Sequence, residues 1–220
     1  MAQSMKAIAI DVVSDVICPW CFLGKRRLDK AISLLDDVKV EVNWRPFFLD
    51  PTIPAEGMSR RTYLENKFGP ERVKTIHDPL IAAGREDGVP YEMDKITRTP
   101  NTMDAHRLIR WSHAGGKQHD MAERLFMAYW NGGLDVGDRE VLLKIAADAG
   151  MDKADVSGKL ENGTDVDAVN AEVNHAYQMG VSGVPCFIFA RQQGLMGAHP
   201  AEQLVEAIRR LAVESAPVSD

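Results

Sequence analysis

Apolar residues first crowd together at 6–13, where Ile8, Ile10, Val12 and Val13 predict a buried strand that stops at Ser14-Asp15. Between 19 and 35 the spacing changes to threes and fours. Phe22, Leu23, Leu28, Ala31, Ile32 and Leu35 then predict an amphipathic helix, with Pro19 in its first turn, where a missing N–H costs nothing. Val38-Lys39-Val40-Glu41-Val42-Asn43-Trp44 alternates apolar and polar positions, the period of a second strand. A strand, a helix and a strand this close together predict a parallel pair with a right-handed crossover.

Prolines 46, 51 and 54 with Gly57 mark an irregular connection. From 58 to 179 the pattern is helical and almost free of strand signals, with helices expected near 59–68, 70–83, 101–115, 118–131, 138–149, 151–160 and 165–179. Asp138 reads as an N-cap, Gly150 and Gly180 as C-terminal stops, and Asn131-Gly132-Gly133 as a break. Strand grammar returns at 185–190, followed by a turn at Gln192-Gln193-Gly194, a short partner at 195–198 and a closing amphipathic helix over 200–213. The expected order is therefore β-α-β, a helical block, then β-β-α.

Composition narrows the function classes. The 220 residues carry a net charge of −6, which argues against general binding to nucleic acid or to an anionic membrane. No apolar run reaches the roughly 18–20 residues of a spanning helix, and the first residues lack the separate apolar segment of a signal peptide. A cytoplasmic location is the expectation. Three cysteines are too few for a secreted disulfide scaffold.

Two of the three, Cys18 and Cys21, bracket Pro19-Trp20 where the first strand gives way to the helix. At a helix N-terminus, free N–H groups and the positive end of the macrodipole favour a thiolate at Cys18. Cys21 lies on the same face one turn later, within reach of the first sulfur. Half a zinc site would need a second ligand pair, and only Cys186 and scattered histidines are available, so no metal is expected. The expectation is a dithiol/disulfide centre. Cys186 is expected as a small buried apolar residue, the alternative being a third thiol acting on the pair. Lys25, Arg26 and Arg27 read as a solvated face, His106 with Arg107 as a structural hydrogen-bonded pair, and His113 and His119 as loop-edge residues. Methionines 58, 93, 103, 121 and 127 with Trp111 and Trp130 are expected to build the insertion's own core.

The stretches Cys18 to Arg27, Trp44-Arg45-Pro46-Phe47, Asn101-Thr102 with Ala105-His106-Arg107, Leu125 to Tyr129, and Gly180 to Pro185 resemble the DsbA-like thioredoxin family, in its FrnE-type branch. Related members are the 2-hydroxychromene-2-carboxylate isomerases and the kappa-class glutathione transferases, which carry serine in place of Cys18 and lack the second thiol. The resemblance implies an α/β thioredoxin-like fold with a mixed sheet, formed by 1–48 and 180–220 and interrupted by a helical insertion domain over 49–179. It further implies a nucleophilic Cys18, a resolving Cys21 and a cis Val184–Pro185 bond. Pro19, Trp20, Val184 and Pro185 would form the substrate-binding walls, and the Val184 backbone would pair with an extended chain. The implied activity is thiol–disulfide exchange on protein or small-molecule thiols, with no cofactor beyond the redox disulfide and with glutathione as a co-substrate. The alternative is a glutathione-dependent isomerase or transferase. A homodimer is compatible with the sequence.

Overall fold

The computed structural model describes residues 6–214; the ends 1–5 and 215–220, which the sequence assigns to the thioredoxin-like unit, lie outside them. In chain order, β1 is Lys6–Ser14, α1 Pro19–Ser33 and β2 Val38–Pro46. The insertion follows as β3 Met58–Ser59, α2 Arg60–Phe68, α3 Asp78–Glu86, β4 Arg98–Thr99, α4 Met103–Trp111, α5 Gln118–Phe126, α6 Arg139–Asp148, α7 Lys153–Glu161 and α8 Val166–Gln178. The chain closes with β5 Cys186–Phe189, β6 Gln193–Met196 and α9 Ala201–Glu214.

The main sheet has the order β2-β1-β5-β6. β1 and β2 run parallel, Ile10 opposite Val42, and β5 is antiparallel to both β1 and β6, so the sheet is mixed. Side chains alternate between its two faces. Ile8, Ile10, Val12, Phe187 and Phe189 face the larger core with α1 and α9, whereas Val13 and Cys186, directly opposite each other, face a smaller cluster with Phe47, Ala176 and Val181. The larger core runs without interruption into the insertion through Leu108, Met121, Phe126 and Trp130. Met121 and Trp130 are fully buried there, while Met58, Met93, Met127 and Trp111 pack at its margin.

The insertion departs from expectation in detail. Met58–Ser59 and Arg98–Thr99 pair as a small antiparallel sheet, a two-residue contact too short to leave a period in the sequence. The helix expected over 70–83 is a 3-10 turn at Arg72–Lys74 followed by α3, because Pro79 fits only the first turn of a helix. Residues 127–131 form a single π-turn that ends α5 and turns Tyr129 and Trp130 inward. Gly133 follows at φ 67°, where an added Cβ would sit 2.5 Å from Lys95 O. The expected stops hold, with Gly150 and Gly180 at positive φ. Asp138 caps α6, its side chain accepting Val141 N–H at 3.0 Å.

The three basic residues of α1 are not a solvated face. Lys25 is buried between Asp29 (2.7 Å) and Glu123 (2.9 Å), Arg26 pairs with Glu123, and Arg27 bonds Asp87 at 2.7 Å. Their partners on α5 and beyond α3 are remote in sequence, and buried charge is tolerated because each is paired. His119 sits at the loop edge as expected, in the first turn of α5, but it too is paired. It contacts Asp29 Oδ1 at 2.6 Å through Nε2 and accepts Trp44 Nε1–H at 3.3 Å.

Candidate active site

β1 ends at Ser14, and a tight turn in which Cys18 N–H donates to Asp15 O at 3.0 Å delivers the chain to α1. Cys18 is the N-cap, with extended backbone (φ −88°, ψ 114°), Pro19 occupies the first turn and no acidic residue lies there. An N-terminus with no competing negative charge favours an anion beside it. Both thiols are unlinked, and both are almost completely buried, Cys18 at 2% exposure and Cys21 at 1%. Trp20 between them is 41% exposed, which makes it the one open apolar surface of the motif.

The two sulfurs are close neighbours. Burial pushes the Cys21 thiol well above the usual range, and the neighbouring Cys18 sulfur adds to this. The neighbouring Ser14 side chain and Asp15 backbone act in the opposite direction. Burial therefore holds Cys21 as the protonated thiol.

The second wall comes from the other end of the chain. The Val184–Pro185 peptide is cis. Cys18 Sγ lies 3.6 Å from Val184 O, and Pro185 packs over α1 at Gly24. A Cβ on Gly24 would meet Pro185 Cγ at 2.9 Å and Phe187 Cζ at 3.2 Å. Gly24→Ala is expected to cost about 1–3 kcal/mol through overpacking and to shift the proline loop. Thermal unfolding and the rate of disulfide reduction, measured together, check this.

All six residues picked from sequence, Cys18, Pro19, Trp20, Cys21, Val184 and Pro185, fall around this one point. Cys186 does not join them. It faces the smaller cluster across the sheet from the dithiol, and burial pushes its thiol up. Three contributors went unnoticed in the sequence. Tyr91 donates its hydroxyl to Pro19 O at 2.6 Å, with its ring edge-on to Phe22 and Trp130. Burial, reinforced by the Cys18 and Cys21 sulfurs, pushes its phenol far up, so it stays a donor. Trp130 donates Nε1–H to Val16 O at 2.9 Å, and Ser14 lies near enough to Cys21 to counter part of its upward shift. Their signal lies in tertiary contact, since residues 91 and 130 are more than seventy positions from the turn they hold. His106 and Arg107 have separate partners: His106 reaches Phe47 O and Asp15, while Arg107 donates to Lys159 O in α7 and to Thr164 O (2.7 Å) just beyond it. Among the described residues no cluster of three or more histidine, cysteine or carboxylate groups could hold a metal. No helix among them is long and apolar enough to cross a membrane.

A thioredoxin-type sheet with a helix-capping dithiol facing a proline loop defines the class, and the family comparison is consistent with it. The model for the DSBA-like thioredoxin domain matches residues 9–209, so the chain belongs to that family. It is similar to YwbO of Bacillus subtilis, an uncharacterised protein, at 29% identity over 82% of this chain and 86% of the relative. Among solved structures it resembles one described as a probable DsbA oxidoreductase from Streptomyces coelicolor, with 29% identity, TM-score 0.86 and 97% and 93% of the two chains covered. Two more distant structures share the fold. One is a 2-hydroxychromene-2-carboxylate isomerase (16% identity, TM-score 0.73, 96% and 100% covered). The other is the cytosolic disulfide reductase DsbM from Pseudomonas aeruginosa with GSH (18% identity, TM-score 0.60, 94% and 96% covered).

Proposed function

We propose that the protein is a thiol–disulfide oxidoreductase in which Cys18 is the nucleophile and Cys21 the resolving thiol. The observation that carries this reading is the pair of buried, neighbouring thiols at the start of α1, with Cys18 Sγ 3.6 Å from Val184 O. In the reducing direction the Cys18 thiolate attacks a substrate disulfide, one substrate sulfur leaves as a thiolate, and a mixed disulfide forms at Cys18. Cys21 then loses its proton and attacks the Cys18 sulfur. The enzyme disulfide forms and the second substrate thiol is released, so two electrons pass to substrate. Oxidation runs the same steps backwards.

Trp20 and the Val184 backbone supply an apolar surface and main-chain groups for an extended substrate, a mode that tolerates many sequences. Protein thiols and glutathione are the proposed substrates, in a cytoplasmic setting; the glutathione complex of DsbM supports the latter. The second reading, a glutathione-dependent isomerase, draws on the shared fold of the hydroxychromene enzyme. Cys21 speaks against it, because isomerisation needs no resolving thiol.

Insulin reduction separates the two. Wild type is expected to be active and Cys18→Ser to fall to the uncatalysed rate, since a serine hydroxyl is not ionised at neutral pH and cannot exchange with a disulfide. Equal rates in the two proteins would sink the oxidoreductase reading, and hydroxychromene turnover that survives Cys21→Ser would support the isomerase.

A further inference from the structure

Gly84 lies inside α3, where glycine is a poor residue for a helix, and the reason is Tyr91. A Cβ on Gly84 would stand 2.6 Å from Tyr91 Cε2 and 2.8 Å from Cδ2, so the missing side chain leaves the space that the ring fills. Phe22 and Trp130 close two further sides, each edge-on with centroids 5.8 Å away. The backbone here is tied down as well. Tyr91 N–H donates to Val89 O at 3.0 Å, Glu92 N–H to Trp130 O at 2.8 Å, and Asn131 Nδ2 to Pro90 O at 3.3 Å. A ring seated in this way delivers its hydroxyl to Pro19 O, at 2.6 Å.

Pro19 stands between the two cysteines in the chain. Cys18, the N-cap, makes no side-chain cap of its own, and among the described residues Tyr91 is the one side chain bonded to the backbone of Pro19 or Trp20. The bond bears on charge as well as position. A carbonyl oxygen beside a thiolate is a negative pole, and a hydrogen donated to that oxygen offsets it. Burial keeps the phenol protonated, so the hydrogen stays in place while the thiols change state. The charged or titratable groups facing the hydroxyl are the two cysteines and Arg27, and Arg27 is already paired with Asp87 at 2.7 Å.

We propose that Tyr91 is a positioning residue for thiol–disulfide exchange: its hydroxyl, bonded to the Pro19 carbonyl between the two cysteines, favours the reduced dithiol, and through it the insertion sets the redox potential. This rests on the oxidoreductase reading. In exchange with glutathione, the reduced dithiol and one glutathione disulfide give the Cys18–Cys21 disulfide and two glutathione thiols. The hydroxyl stabilises the dithiol side, where Cys18 carries thiolate character, and not the disulfide side, where neither sulfur is charged. Tyr91 therefore makes the protein a weaker reductant than the bare helix start would be.

Tyr91→Phe keeps the ring with both edge-on contacts and removes only the hydroxyl. Its equilibrium in glutathione buffers is expected to move about tenfold toward the disulfide, a potential about 30 mV more negative. Gly84→Ala keeps the hydroxyl but displaces the ring, and should move the equilibrium the same way although alanine is the better helix residue. Stopped-flow reaction of the reduced proteins with a bis(nitrobenzoate) disulfide, whose leaving thiolate is coloured, adds a pH profile. The first release reports Cys18 attack. On the acid side it should be about threefold slower in Tyr91→Phe, a tenfold loss of thiolate being partly offset by the greater nucleophilicity of a more basic sulfur. The gap should close as pH rises and Cys18 ionises in both proteins. If Gly84→Ala does not fold, Tyr91→Phe alone decides. An equilibrium equal to wild type or moved toward the dithiol overturns the proposal, as does a first release slowed by one factor at every pH. A wild type that forms no Cys18–Cys21 disulfide in these buffers would instead overturn the oxidoreductase reading.

Discussion

With Cys21 replaced by serine, the reduced protein is expected to release one equivalent of coloured thiolate from the bis(nitrobenzoate) disulfide where wild type releases two. The product should persist as a mixed disulfide at Cys18, visible as a stable adduct in the intact mass. The expectation follows from burial and alignment. The Cys21 sulfur is buried beside the Cys18 sulfur, so it acts at an effective concentration that an external thiol cannot match. Serine at 21 fits the space but cannot displace a thiolate. A second equivalent released at the wild-type rate would show that resolution does not use Cys21.

The second large effect concerns stability. Trp130→Ala is expected to cost about 3–5 kcal/mol, the range for truncating a large buried aromatic. The ring is completely buried against Tyr91 and Tyr129, and the Arg60 guanidinium stacks over it at 5.4 Å. Its removal also leaves Val16 O, two residues before Cys18, without its N–H donor. Urea unfolding should show the midpoint falling, and disulfide exchange should slow in the fraction that remains folded, because the turn presenting Cys18 loses its brace. A change below about 1 kcal/mol would contradict a continuous core joining insertion and sheet.

That brace explains what could and could not be read from the sequence. The dithiol, the β-α-β unit, the cap at Asp138 and the stops at Gly150 and Gly180 are written in local spacing and residue type, and the structure places them where the pattern points. Lys25, Arg26 and Arg27 show the limit. Three successive charges carry no information about Glu123 and Asp87, which pair with them from elsewhere in the fold. Tyr91 and Trp130 reach the turn that presents the dithiol through folding of the insertion, and an isolated tyrosine or tryptophan in a helical block has the same signature whether it braces an active site or fills a core. Cys186 shows the reverse. It stands beside Pro185 in the chain, yet strand alternation sends its sulfur to the opposite face of the sheet.

The measurement closest to the central claim is a redox titration of the whole protein in glutathione buffers, with the disulfide located by peptide mass after acid quenching. The account predicts a reversible two-electron transition, about 30 mV per tenfold change in the equilibrium ratio, in which Cys18 and Cys21 join each other while Cys186 stays reduced. A protein that remains a dithiol across the series, or that ends as glutathionylated Cys18 with Cys21 free, would contradict it.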